Sequence, residues 1–270
     1  WATAYTGDKF DNGTIIKEAL EHHRPTGMQG FVFNTRKEVF SDPLVREALT
    51  YGFDFEWTNK NLFFGQYART NSYFENSDRA STGLPSGREL EILNGYRTQG
   101  LRANLRTAME LLRSAGYEIR NGKMVHAETG KPLKFEMLLF QKTFERVVLP
   151  FKNNLEKLGI DVSVRLVDSN QYVQRVREFD FDMITQVFGQ SDSPGNEQRE
   201  YWHSSTVNAN GSRNYAGVSD PIVDELVNLV IQAPDREELV QRTRALDRVL
   251  LSGHYVVPHW HLAKDRVAYW

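Results

Sequence analysis

The sequence predicts an α/β domain with a mixed sheet flanked by helices. Short apolar runs with the two-residue alternation of strands come between segments with helical spacing along most of the 270 residues. Two strand-helix-strand units, at 133–166 and 160–188, favour parallel neighbours within one sheet. This order of elements argues against a helical bundle and against a β-sandwich.

The first part of the chain contains predicted elements of several kinds. Residues 13–23 have the spacing of a short helix, and the apolar run 31–33 indicates a buried strand. A capped helix follows from about residue 43, where a proline occupies the first helical position. Residues 65–100 are rich in Asn, Ser, Gly, Tyr and Arg, which predicts a long irregular segment that is functional or wraps over a neighbour.

The second part alternates helices and strands more regularly. Helices are predicted at 101–117, 142–158, 169–179, 219–232 and 235–253. Strands are predicted at 117–120, 123–126, 132–140, 160–167, 181–188 and 254–262. The dipeptide Asn121-Gly122 suits a tight turn that joins the first two of these strands into a hairpin.

Composition excludes several classes of function. The 33 basic and 35 acidic residues give a net charge of −2, so we expect no nucleic-acid partner. The absence of cysteine excludes disulfides, thiolate nucleophiles and the usual structural zinc sites. No run approaches the roughly 18–20 apolar residues that span a bilayer.

Catalytic and metal-binding patterns are weak. His259 and His261 share a face of a predicted strand, but no third ligand is evident nearby, so we expect neither a metal nor a cofactor. The chain lacks the G-x-S-x-G elbow and the phosphate-binding loops. Asp180 and Asp182 flank the start of a strand, where a solvated edge or a pair of acid and base groups is possible. A hydrolase that uses these carboxylates or Asp192 on an extended peptide or oligosaccharide is therefore the alternative hypothesis.

The stretch DFDMITQVFGQSDSPGNEQREYW, residues 180–202, suggests a ligand site. An apolar strand ends there in a polar loop, and open α/β sheets bind ligands at the carboxyl ends of strands. A second polar and aromatic segment follows at 208–227. The candidate ligand-binding residues are Phe188, Gln190, Ser191, Asp192, Asn196, Trp202, Asn214 and Tyr215. The residues alone leave a ligand site and a polar loop anchored by aromatics equally open.

Four segments carry a resemblance to a known family. They are GFVFNTRKEVFSDPLVREALTYGFDFEW, LRTAMELLRSAGYEIRNGKMVHAETGKPLKFEMLL, LEKLGIDVSVRLVDSNQYVQRVREFDFDM and NYAGVSDPIVDELV, in that order along the chain. Together they resemble the C-terminal portion of the family 5 extracellular solute-binding proteins, the peptide and nickel receptors of ABC importers. SPGNEQREYW and FENSDRAS look most similar to the branch that includes the receptor for microcin C and oligopeptides.

The resemblance implies a type II periplasmic-binding-protein fold, in which two lobes clamp a ligand between them. Residues 1–270 would form the C-terminal lobe, with about 1–30 and 255–270 packing as hinge or partner-lobe segments. It implies a non-enzymatic, exported, periplasmic protein whose signal peptide these residues do not include. Such a protein binds oligopeptides, works with ABC transporter membrane subunits and is a monomer when full length.

The resemblance also bears on single residues. Oligopeptide receptors of this family place a tryptophan at the end of the strand and, three residues later, an aspartate that pairs with the α-amino group of the ligand. Phe188 has the place of that tryptophan and Ser191 the place of the aspartate, with Asp192 one residue further on. Either the loop is shifted and Asp192 pairs with the α-amino group of the ligand, or this group is recognised in another way.

Overall fold

The computed structural model describes residues 1–83, 86, 87, 89 and 104–270. Helices of this part are α1 (Asp8–Asp11), α2 (Pro43–Thr50), α3 (Phe55–Phe63), α4 (Asn104–Ser114), α5 (Glu145–Glu156), α6 (Ser169–Arg177), α7 (Glu197–Trp202), α8 (Pro221–Ile231) and α9 (Arg236–Ser252). Strands are β1 (Ile16–Glu21), β2 (Met28–Phe33), β3 (Ala68–Arg69), β4 (Tyr117–Arg120), β5 (Lys123–His126), β6 (Lys134–Leu139), β7 (Asp161–Leu166), β8 (Met183–Phe188), β9 (Val256–Pro258), β10 (Trp260–His261) and β11 (Lys264–Tyr269).

A five-stranded mixed sheet organises the chain, with strand order β7-β6-β8-β2-β9. Strand β6 runs parallel to both β7 and β8, whereas β2 is antiparallel to β8 and to β9. The carboxyl ends of β6, β7, β8 and β9 therefore lie at one edge of the sheet, together with the amino end of β2. We call this the carboxyl edge.

Helices cover both faces of the sheet, as the sequence predicts. Phe31 and Phe33 of β2 point into one core with Phe151 of α5, because alternate side chains of a strand face opposite sides. Met28 and Val32 point into the other core, which contains side chains of α6, α8 and α9. Two separate hydrophobic cores thus fix the sheet between two helical layers.

The direction in which successive strands are added to the sheet reverses between β6 and β8. Helix α5 packs in one core and leads from β6 outward to β7, whereas α6 packs in the other core and leads back across β6 to β8. Asp168 caps α6 by accepting hydrogen bonds from the backbone N–H groups of Asn170 and Gln171 at 2.9 and 3.0 Å. The amino end of α6 is therefore fixed at the carboxyl edge, beside the reversal.

The predicted helix at 13–23 is wrong. Strand β1 forms there and pairs antiparallel with β11, in a register that places Ile16 opposite Tyr269. All six residues of β1 are exposed, so no core in the described part of the chain covers the apolar side chains that gave the helical spacing. Backbone pairing with a distant strand overrides the local helical spacing.

Other boundaries differ from prediction. The predicted last strand at 254–262 is two strands, because β9 pairs with β2 and β10 pairs with β3. Strand β11 was not predicted, and the polar stretch after β8 contains the short helix α7. The irregular segment 65–100 and the helix 101–117 fall partly outside the described residues. Within the described part, no helix is long and apolar enough to cross a bilayer.

Candidate ligand-binding site

A cavity of about 380 Å³ opens at the carboxyl edge, where the chain reverses between β6 and β8. Open α/β sheets bind ligands at this topological position, and the volume falls within the range of about 300–1,000 Å³ typical of small-molecule sites. Its apolar lining is Leu138, Leu139, Phe140, Phe144, Tyr172, Val173 and Val187. Its polar lining is Gln29, Gln141, Ser169, Thr185 and Gln186. We call it the switch-point cavity.

The walls of the switch-point cavity are held by contacts between α6 and the strands. The Tyr172 hydroxyl donates to the Thr185 carbonyl oxygen at 3.2 Å, and burial raises the pKa of this hydroxyl. The rings of Tyr172 and Phe140 lie 4.6 Å apart between centroids. These contacts join α6, β8 and the end of β6, and they hold the walls of the cavity in place.

Gln29, a half-buried polar residue of the lining, has a buried partner behind it. Gln29 Nε2 lies 3.4 Å from His259 Nδ1, and the His259 ring is fully buried beside Phe31 and Trp260. Burial, with a smaller contribution from the charge of Arg69, places the pKa of His259 well below its usual range. The imidazole is therefore neutral at physiological pH, and it positions the Gln29 amide without adding a charge.

A second, charged cavity of about 390 Å³ contains Asp192. Arg79, only 1% exposed, donates to Asp78 at 3.0 Å and to Asp192 Oδ1 at 3.1 Å. Arg236 donates to the Asp192 carbonyl oxygen at 2.9 Å and to the Asp78 carboxylate at 3.0 Å. We call these four residues the arginine–aspartate cluster. Partial burial raises the pKa of Asp78, but the hydrogen bond from Arg236 and the charges of Arg79, Arg236 and Arg244 lower it by more.

One carboxylate oxygen of Asp192 is held by an arginine, and the other is open to solvent. Its side chain is 70% exposed, and Oδ1 receives the hydrogen bond from Arg79. Among the described residues, no donor contacts Oδ2. A buried arginine thus fixes the orientation of a carboxylate that still has acceptor capacity toward solvent.

Phe188 and Trp202 lie beneath this loop. Both are fully buried, with ring centroids 4.4 Å apart, and Tyr73 packs 5.0 Å from Trp202. The Trp202 indole N–H donates to Gln198 Oε1 at 3.1 Å. The two rings therefore support the loop from the core, and direct contact of either ring with a ligand stays a prediction.

The polar members of the predicted site are spread along the loop. Gln190 is half-buried and accepts a hydrogen bond from Gln198 Nε2 at 2.7 Å. Ser191 and Asn196 are exposed, and Ser191 Oγ accepts from the Ser193 N–H at 3.3 Å. Ser191 and Asn196 are accessible to a ligand, whereas Gln190 is engaged within the loop.

Asn214 and Tyr215 belong to the second predicted segment. Asn214 is fully buried; its amide donates to the Val218 carbonyl at 2.9 Å and accepts from the Val218 N–H at 2.8 Å. These bonds close a turn before α8. Tyr215 is half-buried, with its ring 6.0 Å from that of Phe188. Tyr215 thus lies beside the aromatic rings beneath the loop, whereas the Asn214 side chain is used to hold the turn before α8.

Among the carboxylates of the hydrolase alternative, Asp192 lies apart from Asp180 and Asp182, and these two already have partners. Asp180 pairs with Arg175 at 3.0 Å, and Asp182 Oδ2 accepts the Glu136 N–H at 2.9 Å, both before the amino end of β8. Asp192 follows the carboxyl end of β8. A six-residue strand is about 17–20 Å long, whereas paired glycosidase carboxylates lie about 5–9.5 Å apart. This arrangement does not support the hydrolase alternative.

Metal-ligand clusters are likewise absent from the part of the chain that is described. No three His, Asp or Glu side chains there come close enough to hold an ion. His259 and His261, which could have chelated, instead contact Gln29 and Thr70 at 3.4 Å.

Sequence reasoning missed the switch-point cavity and Arg79. None of the eight predicted site residues lines the switch-point cavity, although Val187 comes just before Phe188. The rule that ligands bind at strand carboxyl ends was applied to β8 alone. Applied also to β6, which ends before Phe140, the same rule would have indicated a second wall of the switch-point cavity. Nothing in the local sequence marks Arg79 as the partner of Asp192.

Comparisons with known proteins agree with this fold. Residues 2–210 match the profile of the bacterial extracellular solute-binding proteins, family 5 Middle. Protein y4wM of Sinorhizobium fredii, called uncharacterized, is 46% identical over 100% of this chain and 44% of its own length. The probable peptide-binding protein YejA of Agrobacterium fabrum is 43% identical over 100% of this chain and 47% of its own length. The chain thus spans less than half the length of these relatives.

Solved structures show the same fold. The oligopeptide-binding protein AppA of Bacillus subtilis, in complex with a nonapeptide, superposes with a TM-score of 0.74 at 19% identity, over 94% of this chain and 47% of AppA. NikZ of Campylobacter jejuni, in complex with Ni(L-His), gives a TM-score of 0.75 at 18% identity, over 97% of this chain and 49% of NikZ.

The fold of the described residues is that of the type II periplasmic-binding proteins. The profile match and the identities of 46% and 43% then decide the family. The chain belongs to family 5 of the bacterial extracellular solute-binding proteins.

Proposed function

We propose that this chain is the C-terminal lobe of a periplasmic receptor that binds oligopeptides and delivers them to the membrane subunits of an ABC importer. The observation that carries the proposal is the switch-point cavity at the carboxyl edge. The name of the Agrobacterium relative, a probable peptide-binding protein, supports peptide as the ligand class. We expect binding without turnover, because Asp192 is separated from Asp180 and Asp182 by the length of β8, and these two carboxylates are engaged with Arg175 and the Glu136 N–H. We also expect the full-length receptor to be a monomer.

The exposed ribbon of β1 and β11 suggests where the lobe joins the rest of the receptor. Ile16, Leu20 and Tyr269 are exposed apolar side chains on this ribbon, and a two-stranded ribbon alone is only marginally stable. Residues 28–33 and 256–258, by contrast, belong to the central sheet. We therefore infer that the hinge lies at the ribbon of β1 and β11 and does not include all of residues 1–30 and 255–270. The two lobes would close on a ligand about this ribbon.

Asp192 is our candidate for the group that binds the amino terminus of the peptide. Its exposed Oδ2 can accept from an ammonium group while Arg79 holds Oδ1. A hydrogen bond between charged groups contributes about 1.5–3 kcal/mol, which is about 10- to 150-fold in affinity.

The proposal is tested by calorimetry of the full-length receptor with peptides whose amino terminus is free or acetylated. We expect peptides to bind, acetylation to weaken binding, and Asp192→Asn to abolish the difference between the two forms. Asp180→Asn is the matched control, because Asp180 also pairs with an arginine but lies at the opposite edge. If no peptide binds, or if peptide is hydrolysed, the receptor proposal is wrong. If peptides bind and Asp192→Asn leaves the effect of acetylation intact, only the role of Asp192 is wrong.

A further inference from the structure

The switch-point cavity differs in charge from the other cavities of the described residues. None of the described side chains that line it is ionisable in the physiological range, whereas the cavity at the arginine–aspartate cluster is lined by two arginines and two aspartates. An ionised group placed in the switch-point cavity would lose water without gaining a counter-charge. The cavity therefore discriminates against charged ligand groups.

Its rim is apolar and open to solvent. Phe140, Val173 and Val187 are 42%, 52% and 52% exposed, and they come from three different elements that meet at this point. A contiguous exposed apolar surface around a concavity is typical of an interaction site. A ligand side chain that fills the cavity would remove this apolar surface from water.

From these observations we propose that the switch-point cavity is a specificity subsite that takes one uncharged, apolar or aromatic side chain of the bound peptide. This inference rests on the proposed function. The occupant is a side chain of the ligand because the cavity, of about 380 Å³, is concave, is lined by uncharged and mostly apolar groups, and lies at the switch point of the sheet. The arginine–aspartate cluster offers charged partners along the same edge of the sheet, after the end of β8. A peptide is suited to both, since it combines charged termini with apolar side chains.

The polar groups of the cavity fit this assignment. Gln29 is positioned by His259, and Gln186 and Gln141 add further neutral amides. Amides at the wall can hydrogen-bond with the peptide backbone on either side of a buried side chain without selecting a charge. The subsite therefore selects the class of side chain and is compatible with many sequences around it.

The test uses the full-length receptor and a set of alanine-background pentapeptides. Each position in turn is changed to Leu, Phe, Lys or Asp, and each dissociation constant is measured by calorimetry. At one position we expect Leu or Phe to bind about 10- to 100-fold more tightly than Lys or Asp, since filling an apolar pocket gives discrimination of that order. The other positions should show smaller differences.

Two substitutions of opposite charge at Val173 test whether the switch-point cavity causes the side-chain preference at that position. Val173→Asp should weaken the Leu and Phe peptides at least about tenfold and improve the Lys peptide at the same position, whereas Val173→Lys should improve the Asp peptide. A merely damaged fold would not reverse the charge preference. Leu149→Asp is the control, because Leu149 is a similarly exposed apolar side chain on α5 outside the cavity.

The outcomes separate this inference from the proposed function. If peptides bind with no position that prefers apolar side chains, the subsite is wrong and the receptor function stands. If the preference exists but neither Val173 substitution changes it, the subsite lies elsewhere and the inference is overturned. If no peptide in the set binds, the proposed function fails.

Discussion

Asp247 anchors the segment that carries Arg79, and its ionisation should make stability depend on pH. The carboxylate is fully buried. Its Oδ1 accepts the Tyr73 N–H at 2.7 Å, and its Oδ2 accepts the Ser72 hydroxyl at 2.8 Å and the Ser81 N–H and hydroxyl at 2.9 and 2.6 Å. These four bonds hold residues 72–81 against α9, and with them the partner of Asp192.

Burial raises the pKa of Asp247 from 3.8 to about 6, although the hydrogen bonds from Ser81, Ser72 and Tyr73 oppose the shift. The folded state therefore binds a proton more tightly than the unfolded state. The stabilisation by this proton is fully present below pH about 4 and is lost as the pH rises through about 6. The difference between a pKa of 3.8 and one of about 6 corresponds to about 3 kcal/mol in full, since a tenfold change in proton affinity is about 1.4 kcal/mol.

Asp247→Asn removes the ionisation while keeping a neutral group of the same shape. We expect the free energy of unfolding of the natural protein, minus that of the variant, to fall by about 2.5 kcal/mol between pH 4 and pH 7, because the unfolded carboxyl group is already partly ionised at pH 4. Urea unfolding at four pH values measures this difference. Asp161→Asn, at an exposed position at the start of β7, is the control. A difference that stays constant with pH for Asp247→Asn would refute the reasoning.

Two further predictions concern the walls of the site and are measured by urea unfolding. Thr185→Val should stabilise the protein by about 1 kcal/mol, because Thr185 Oγ1 is buried without a hydrogen-bond partner among the described residues. A loss of stability in this variant would contradict the prediction. Gly27→Ala should destabilise it by at least about 2 kcal/mol, because Gly27 has a φ of +67° and an added Cβ would lie 2.3 Å from the Phe188 carbonyl oxygen. Gly13→Ala, with a φ of +76° but no atom within 4 Å, should cost only the backbone strain, and equal losses at both positions would contradict the steric argument.

The sequence predicts the local parts of the fold well. The hairpin of β4 and β5 follows from Asn121-Gly122, and the units around α5 and α6 follow from periodicity and caps, because short-range interactions decide them. Strand β1 was predicted as a helix because its partner β11 is at the other end of the chain. Pairing over such a distance leaves no local signal in residues 16–21.

The site was predicted only in part for the same reason. The loop that carries Asp192 could be found, because it follows an apolar strand directly. The switch-point cavity as a whole could not. The end of β6 could have indicated one wall, but only the order of strands in the sheet shows that β6, α6 and β8 meet. The pairing of Asp192 with Arg79 likewise joins two segments that are distant in sequence.

The central claim is that this lobe binds peptides at the carboxyl edge of its sheet. The most direct measurement is mass spectrometry of the ligand that stays bound when the full-length receptor is purified without denaturation. We predict peptides with a free amino terminus, enriched in apolar or aromatic residues at one position. A metal chelate or an oligosaccharide as the bound ligand would contradict the account.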